Sequence, residues 1–381
     1  MRGCTHFAQR SYGNTKVTRL PGRDLARLRP AKSKSKSKSK SKSKSKSKSK
    51  SKSTQRLTNP KQTMQTITSQ DLATACAIVY QSMAPTPTHR WPLLDARLGA
   101  SLHVKHENHT SVGAFKVRGG AVYLHELLKR EPAVKGVIAA TRGNHGQSIA
   151  LAARHHNLPA TIVVPHGNSL EKNAAMRALG ASLIEHGADF QAAREHAIEL
   201  SQTQGLHMVP SLHRDLVRGV ASYWLEFFEV VQPDVVFVPI GMGSGICACA
   251  VARINLGAAT RIVGVVSAHA TAYLDSYRAG RVIEAPVTAV LADGMACRSP
   301  DAGALEIMLR DVDEVIQVTD AEVAVAMRAL FADTHNVAEG AGAASLAGAI
   351  QQREKWLGRS VGVTLCGGNV DSAVFAKVLA G

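Results

Sequence analysis

Asp234-Val235-Val236-Phe237-Val238-Pro239-Ile240 runs directly into Gly241-Met242-Gly243-Ser244-Gly245 and then into an apolar stretch over residues 246–256. The β-branched run predicts a buried strand, the glycines a tight turn, and the residues after them a helix. A strand feeding a helix through so short a turn belongs to a mostly parallel sheet flanked by helices. Three glycines let backbone N–H groups approach a phosphate closely, and the positive end of the following helix adds to the attraction. The spacing is not the Gly-x-Gly-x-x-Gly of a dinucleotide loop, and no Gly-Lys-Ser/Thr follows as a nucleoside-triphosphate loop requires. The competing reading is a plain turn with no ligand.

The same alternation recurs on either side of this stretch. Residues 137–140 predict a strand that leads into Thr141-Arg142-Gly143-Asn144-His145-Gly146-Gln147, with a helix over 148–156. Residues 161–165 and 182–184 read as further strands, with helices over 169–179 and 190–203. Later, 261–266 predicts a strand, 321–335 a helix, and 360–365 a last strand ending at Cys366-Gly367-Gly368-Asn369. No internal repeat is present. The glycine-bearing motifs sit just past the carboxyl ends of strands, where open α/β sheets place ligands.

Four motifs carry chemistry. Lys116, in Ser111-Val112-Gly113-Ala114-Phe115-Lys116-Val117-Arg118-Gly119-Gly120, is framed by small and apolar residues. A lysine held away from water loses its proton more easily and becomes an imine-forming nucleophile, although most lysines are solvated charges. Gly143-Asn144-His145-Gly146 opens a helix, so its amides suit a carboxylate while Asn144 suits a ring hydroxyl. His145 has the intrinsic pKa of a general base, yet a histidine beside a turn is more often structural. Cys366 ends a strand, where a small neutral group can face a heterocyclic nitrogen; a buried structural thiol is the alternative. No His-x-x-x-His or Cys-x-x-Cys pair marks a metal site, and none is expected.

A phosphate, a ring with a hydroxyl, a ring nitrogen and an aldehyde for the lysine together describe pyridoxal phosphate. On these motifs and their order, the chain from Met64 onward resembles the fold-type II pyridoxal-phosphate enzymes, and within them the threonine/serine dehydratase and serine racemase group. The resemblance implies a tryptophan synthase β-like α/β fold with two open, mostly parallel-sheet lobes. Residues 64–136 with 212–381 would form a large cofactor-binding domain, and 137–211 a small one. It implies that Lys116 forms the imine with the cofactor and acts as the catalytic base. Phe115 would pack beside the ring and Asn144 bond its hydroxyl. Gly241, Met242, Gly243, Ser244 and Gly245 would cradle the phosphate, and Cys366 face the ring nitrogen. Ser111, Thr141, Arg142, Gly143 and His145 would bind the substrate. The implied activity is α,β-elimination of threonine or serine to a 2-oxo acid and ammonia, by a homodimer.

Departures from that pattern are informative. Arg142 stands where relatives carry a small residue, or the serine of the racemases, which argues against racemisation. A guanidinium there suits a second carboxylate, making 3-hydroxyaspartate an alternative substrate. Residues 266–272 lack the acids that hold a divalent cation in some relatives. The chain ends at Gly381, soon after the last motif, so a feedback-regulatory domain of the biosynthetic threonine dehydratases is not expected.

Charge is sharply divided along the chain. The 381 residues carry a formal net charge of +17, but residues 1–63 hold 13 Lys and 7 Arg against Asp24 alone, so the remainder is mildly acidic. The Lys-Ser alternation over 32–53 offers no apolar face and predicts a disordered tail. Without aromatic residues it cannot stack bases, so nucleic acid is at most a partner of the tail. Met64 begins the globular pattern and suits a translation start, which mass spectrometry of the native N-terminus would decide. Six cysteines without paired spacing, and no long apolar run, predict a cytoplasmic protein that does not cross membranes. A cofactor-binding protein without catalysis, and a polyanion tether working through its tail, are the readings from other functional classes.

Overall fold

The computed structural model describes residues 66–288 and 291–381. The basic tail and Met64 lie outside the described residues. In chain order the elements begin with α1 (Ser69–Val79), β1 (Thr88–Arg90), α2 (Pro92–Leu98), β2 (Ser101–His106) and α3 (Lys116–Arg130). Then come β3 (Val137–Ala140), α4 (Asn144–His155), β4 (Ala160–Val164), α5 (Leu170–Ala178), β5 (Ser182–Glu185), α6 (Phe190–Gln204) and β6 (His207–Met208). After α7 (Arg214–Val230) follow β7 (Val235–Pro239), α8 (Ser244–Leu256), β8 (Arg261–Ser267), α9 (Ala272–Ala279) and α10 (Ala302–Asp311). The chain closes with β9 (Glu314–Val318), α11 (Asp320–Thr334), α12 (Gly340–Gln351), β10 (Ser360–Leu365) and α13 (Ser372–Ala380).

Two sheets result. The larger has the order β1-β2-β10-β7-β8-β9, parallel except for β1, which runs antiparallel to β2. The smaller has the order β5-β4-β3-β6 and is parallel throughout. Two mostly parallel sheets are the architecture that the resemblance implies. Alternation along each strand sends successive side chains to opposite faces, so a continuous apolar run is covered on both. Val236 and Val238 pack with α7 and α8 on one face of β7, while Val235 and Phe237 pack with α11 and α12 on the other. In the smaller sheet Val137, Ala139 and Ile162 meet α4, whereas Ile138, Ala140 and Val163 meet α6. All four strands of the smaller sheet fall within 137–211. Helix α3, ahead of that span, contributes Tyr123, Leu124 and Leu127 to its core.

Carboxyl ends of the strands bring the loops together. The turn after β7, the turn after β3 and the segment after β10 all open on one cavity.

Candidate active site

Lys116 is the first residue of α3, and the backbone fixes its position. Phe115 N donates to Cys366 O at 3.0 Å, and an antiparallel bridge joins Ala114 to Gly367, so the start of α3 is stitched to the end of β10. Its half-buried amine donates to Ser244 Oγ at 2.7 Å and lies 4.7 Å from the centre of the Phe115 ring. Desolvation pulls the amine down to about 8, against the opposing pull of the Glu339 carboxylate. This lysine therefore shares its cavity with the loop the sequence marks for a phosphate.

That loop is built for close approach. Gly243 adopts φ of 100°, and a Cβ there would lie 2.9 Å from Ala304 Cβ and 3.1 Å from Tyr273 Oη. Tyr273 Oη donates to Met242 O at 3.1 Å and pins the turn. Ser244 begins α8, so the first N–H groups of that helix are left without intrahelical partners beside the loop. At Gly245 a Cβ would enter the space next to Phe115, 3.8 Å from Cζ.

Thr141-Arg142-Gly143 follows β3. Thr141 Oγ1 accepts from the N–H groups of Gly143 at 2.9 Å and Gly146 at 3.3 Å, so its hydroxyl organises the turn. The helix consequently begins at Asn144, four residues ahead of the expected 148, and leaves the N–H groups of Asn144 and His145 open. Arg142 lines the cavity and forms no ion pair or side-chain hydrogen bond with another described residue. His145 Nε2 is buried without a partner, and burial, followed by the Lys116 charge, lowers the ring to about 3. The imidazole is neutral at physiological pH and takes no general-acid part there.

Cys366 directly follows β10 and is 6% exposed. Burial, reinforced by Glu339, pushes its thiol far up, so it stays protonated. Its Sγ lies 3.5 Å from Ala341 O.

The cavity wall contains Phe115, Lys116, Asn144, Gly241 through Gly245, Cys366, Thr141, Arg142, Gly143 and His145. Ser111 is the exception. It is exposed, in the turn before Val112, and does not reach the wall, because Gly113 turns the chain away with φ of 67° before Phe115. The sequence reading omits Lys172, Asp293 and Glu339, which also line the cavity. Glu339 is a lone acid in Ala338-Glu339-Gly340-Ala341-Gly342, a polar residue in otherwise small company, and that contrast is the one local signal it offers. Asp293-Gly294 reads merely as a turn, and Lys172 as a solvated helix charge. Among the described residues no group of three or more His, Cys, Asp or Glu is placed to hold a metal ion.

These residues fit pyridoxal phosphate: a desolvated amine, a glycine cradle where side chains would intrude, a neutral thiol and an unpartnered buried imidazole nitrogen. The fold and this cavity define a pyridoxal-phosphate enzyme architecture. The chain belongs to the family of pyridoxal-phosphate dependent enzymes, whose model matches residues 79–367. It is 33% identical to an L-threo-3-hydroxyaspartate ammonia-lyase of Saccharomyces cerevisiae over 79% of this chain and 92% of that protein. It is 34% identical to an L-threonine ammonia-lyase of Geobacter sulfurreducens, over 74% of this chain and 71% of the relative. The processed form of threonine deaminase isoform 2 from Solanum lycopersicum superposes with a TM-score of 0.76 at 29% identity, covering 82% of this chain and 93% of that one.

Proposed function

We propose that this protein is an ammonia-lyase that converts a β-hydroxy amino acid, threonine or serine, to a 2-oxo acid and ammonia. The observation that carries the reading is the Lys116 amine, desolvated to about 8 and bonded to Ser244 of the glycine turn, in one cavity with the neutral thiol of Cys366. Pyridoxal phosphate bound there supplies an aldehyde for the substrate amine and an electron sink that acidifies its α-hydrogen. Lys116 Nζ is placed to take that proton, and its lowered basicity leaves enough free amine at neutral pH to do so. The open N–H groups of Asn144 and His145 and the turn at Gly143 suit the α-carboxylate. Cys366, held neutral, leaves a ring nitrogen unprotonated, which favours elimination over reactions needing a full electron sink. The β-hydroxyl departs as water once it is given a proton, for which the protonated Lys116 Nζ is a source; the released enamine then tautomerises to an imine, which water hydrolyses to the 2-oxo acid and ammonia.

The test is the visible absorbance of purified protein together with 2-oxo acid release. Wild type should carry the cofactor band and release 2-oxo acid from threonine or serine; Lys116→Ala should lose both. A colourless wild type that cannot be reconstituted would defeat the reading.

One observation favours a second substrate. Arg142 is a cavity-lining guanidinium with no counter-ion among the described residues, and it suits a bidentate grip on a second carboxylate. For 3-hydroxyaspartate, Arg142→Ala should raise KM by roughly a hundredfold while changing that for threonine by no more than about threefold. Equal losses with both substrates would refute the clamp.

The same reading proposes a cytoplasmic homodimer whose small domain spans 137–211. Support comes from the family resemblance and from five described cysteines that are all unpaired. Light scattering and cell fractionation test it. No helix among the described residues is long and apolar enough to cross a membrane.

A further inference from the structure

Helix α5 brings its first turn to the cavity from the side of the smaller sheet, and Lys172 in that turn is 7% exposed. Its stem lies against Gly143, where a Cβ would collide with Lys172 Cδ. Its ammonium stands 3.3 and 3.1 Å from the two carboxylate oxygens of Asp293 and 3.5 Å from Glu339 Oε2. Glu339, 2% exposed, accepts from Asn144 Nδ2 through its other oxygen at 2.6 Å. Asn144 Oδ1 accepts in turn from Asn369 Nδ2 at 2.8 Å. The Asn144 amide thus has its oxygen and one hydrogen committed, which leaves its second hydrogen for a ligand.

Two acids share Lys172 unequally. The Asp293 side chain is 27% exposed and keeps contact with water, whereas that of Glu339 is 3% exposed. A carboxylate so enclosed needs a cation or takes up a proton. Burial raises the Glu339 carboxyl, and Lys172 and the Asn144 bond oppose that rise. Lys172 is not needed to hold α5 in place. Ser169 Oγ donates to Asp371, and Glu171 accepts from Ser372 N at 2.8 Å and Oγ at 2.6 Å, so this turn is tied to the start of α13 independently.

We propose that Lys172 is a positioning residue for Asn144: its ammonium is the counter-charge that keeps Glu339 an ion, and that ion fixes the Asn144 amide as a donor toward the ring oxygen of the cofactor. The proposal rests on the cofactor reading above. Lys172 touches no reacting atom in it; its effect passes through Glu339.

The experiment compares wild type, Lys172→Met, Lys172→Arg, Glu339→Gln and the double variant Lys172→Met/Glu339→Gln, each reconstituted with pyridoxal phosphate. Visible spectra of the bound cofactor, its dissociation constant and kcat are measured. Lys172→Met should shift the cofactor band and weaken cofactor binding about tenfold. Lys172→Arg should stay within about threefold of wild type, because it restores the charge. Glu339→Gln should also weaken binding, since its one amide oxygen is drawn to the remaining ammonium and away from Asn144. The double variant, with neither buried charge, should bind the cofactor about fivefold better than either single variant. A Lys172→Met protein with an unshifted band and affinity within about twofold of wild type would overturn the proposal. So would a double variant no better than the singles. If Lys172→Met fails to fold, the double variant against Glu339→Gln decides the matter alone. A wild type that takes up no pyridoxal phosphate would overturn both readings, whereas a loaded wild type with a silent Lys172→Met overturns this one only.

Discussion

Lys116 Nζ and His145 Nε2 line the same cavity, and burial moves both toward their neutral forms, to about 8 and about 3 respectively. Depression of a cationic acid means that the neutral form is reached at lower pH than in water. His145 is therefore uncharged throughout the physiological range, and proton transfer there falls to Lys116. The amine is neutral above about 8 and increasingly protonated below it. Uptake of pyridoxal phosphate by the cofactor-free protein should thus rise roughly tenfold per pH unit up to about 8 and level off above. Stopped-flow absorbance across pH 6 to 10 measures this, and His145→Gln should leave the midpoint in place. A midpoint near the ordinary lysine value would show that the amine is solvated and the desolvation argument wrong.

Elements explain why some of the site is readable in the sequence and some is not. The β7 strand, its glycine turn and α8 are a continuous local pattern, so the run of β-branched residues and the glycines announce them. The turn after β3 is local too, yet α4 begins inside the motif because the Thr141 hydroxyl satisfies two N–H groups that would otherwise be open. The reading leaves out α7, although Val217, Val220, Ala221, Trp224 and Phe228 recur at helical spacing and all join the core. The pairing of Lys172 with Glu339 is not a local pattern, since it spans nearly half the chain; Lys172 sits in an ordinary helix context, and the lone acid at Glu339 does not reveal its partner. Two glycines of the same turn separate backbone need from ligand need. Gly243→Ala meets a positive φ and a crowded Cβ site, and should lose about 1–3 kcal/mol of stability along with cofactor affinity. Gly245→Ala has 3.8 Å of clearance and sits in a helix, so it should keep its melting temperature while weakening the cofactor. Thermal unfolding of the cofactor-free variants, alongside cofactor titrations, checks the contrast. Equal destabilisation of both would mean that the turn is shaped for the fold alone.

Across the whole molecule, the surroundings of Lys116 rest on buried charge. Arg118, two residues further along α3 and 0% exposed, donates Nε and Nη2 to the Glu107 carboxylate at 2.8 and 2.9 Å. It also donates Nη2 to Glu226 Oε2 at 3.1 Å and Nη1 to Ser222 Oγ at 2.9 Å. Lys105 on β2 pairs with Glu226 as well, so two cations and two anions balance in the interior. The cluster ties β2 and the turn after it to α3 and α7, and α3 and α7 reach the core of the smaller sheet through Leu124 and Leu216. Among the described residues Glu226 pairs with both Arg118 and Lys105, whereas Glu107 forms an ion pair with Arg118 alone. Its own 0% exposure leaves it no water. Arg118→Met should therefore destabilise the protein by about 3–5 kcal/mol, the usual consequence of leaving a buried ion without its partner. Arg118→Met/Glu107→Gln should recover a large part of that loss, because it removes the stranded charge along with the cation. Urea denaturation of the cofactor-free protein measures both. If the double variant is no more stable than Arg118→Met, the loss comes from packing around the guanidinium rather than from charge, and the start of α3 is held by shape alone.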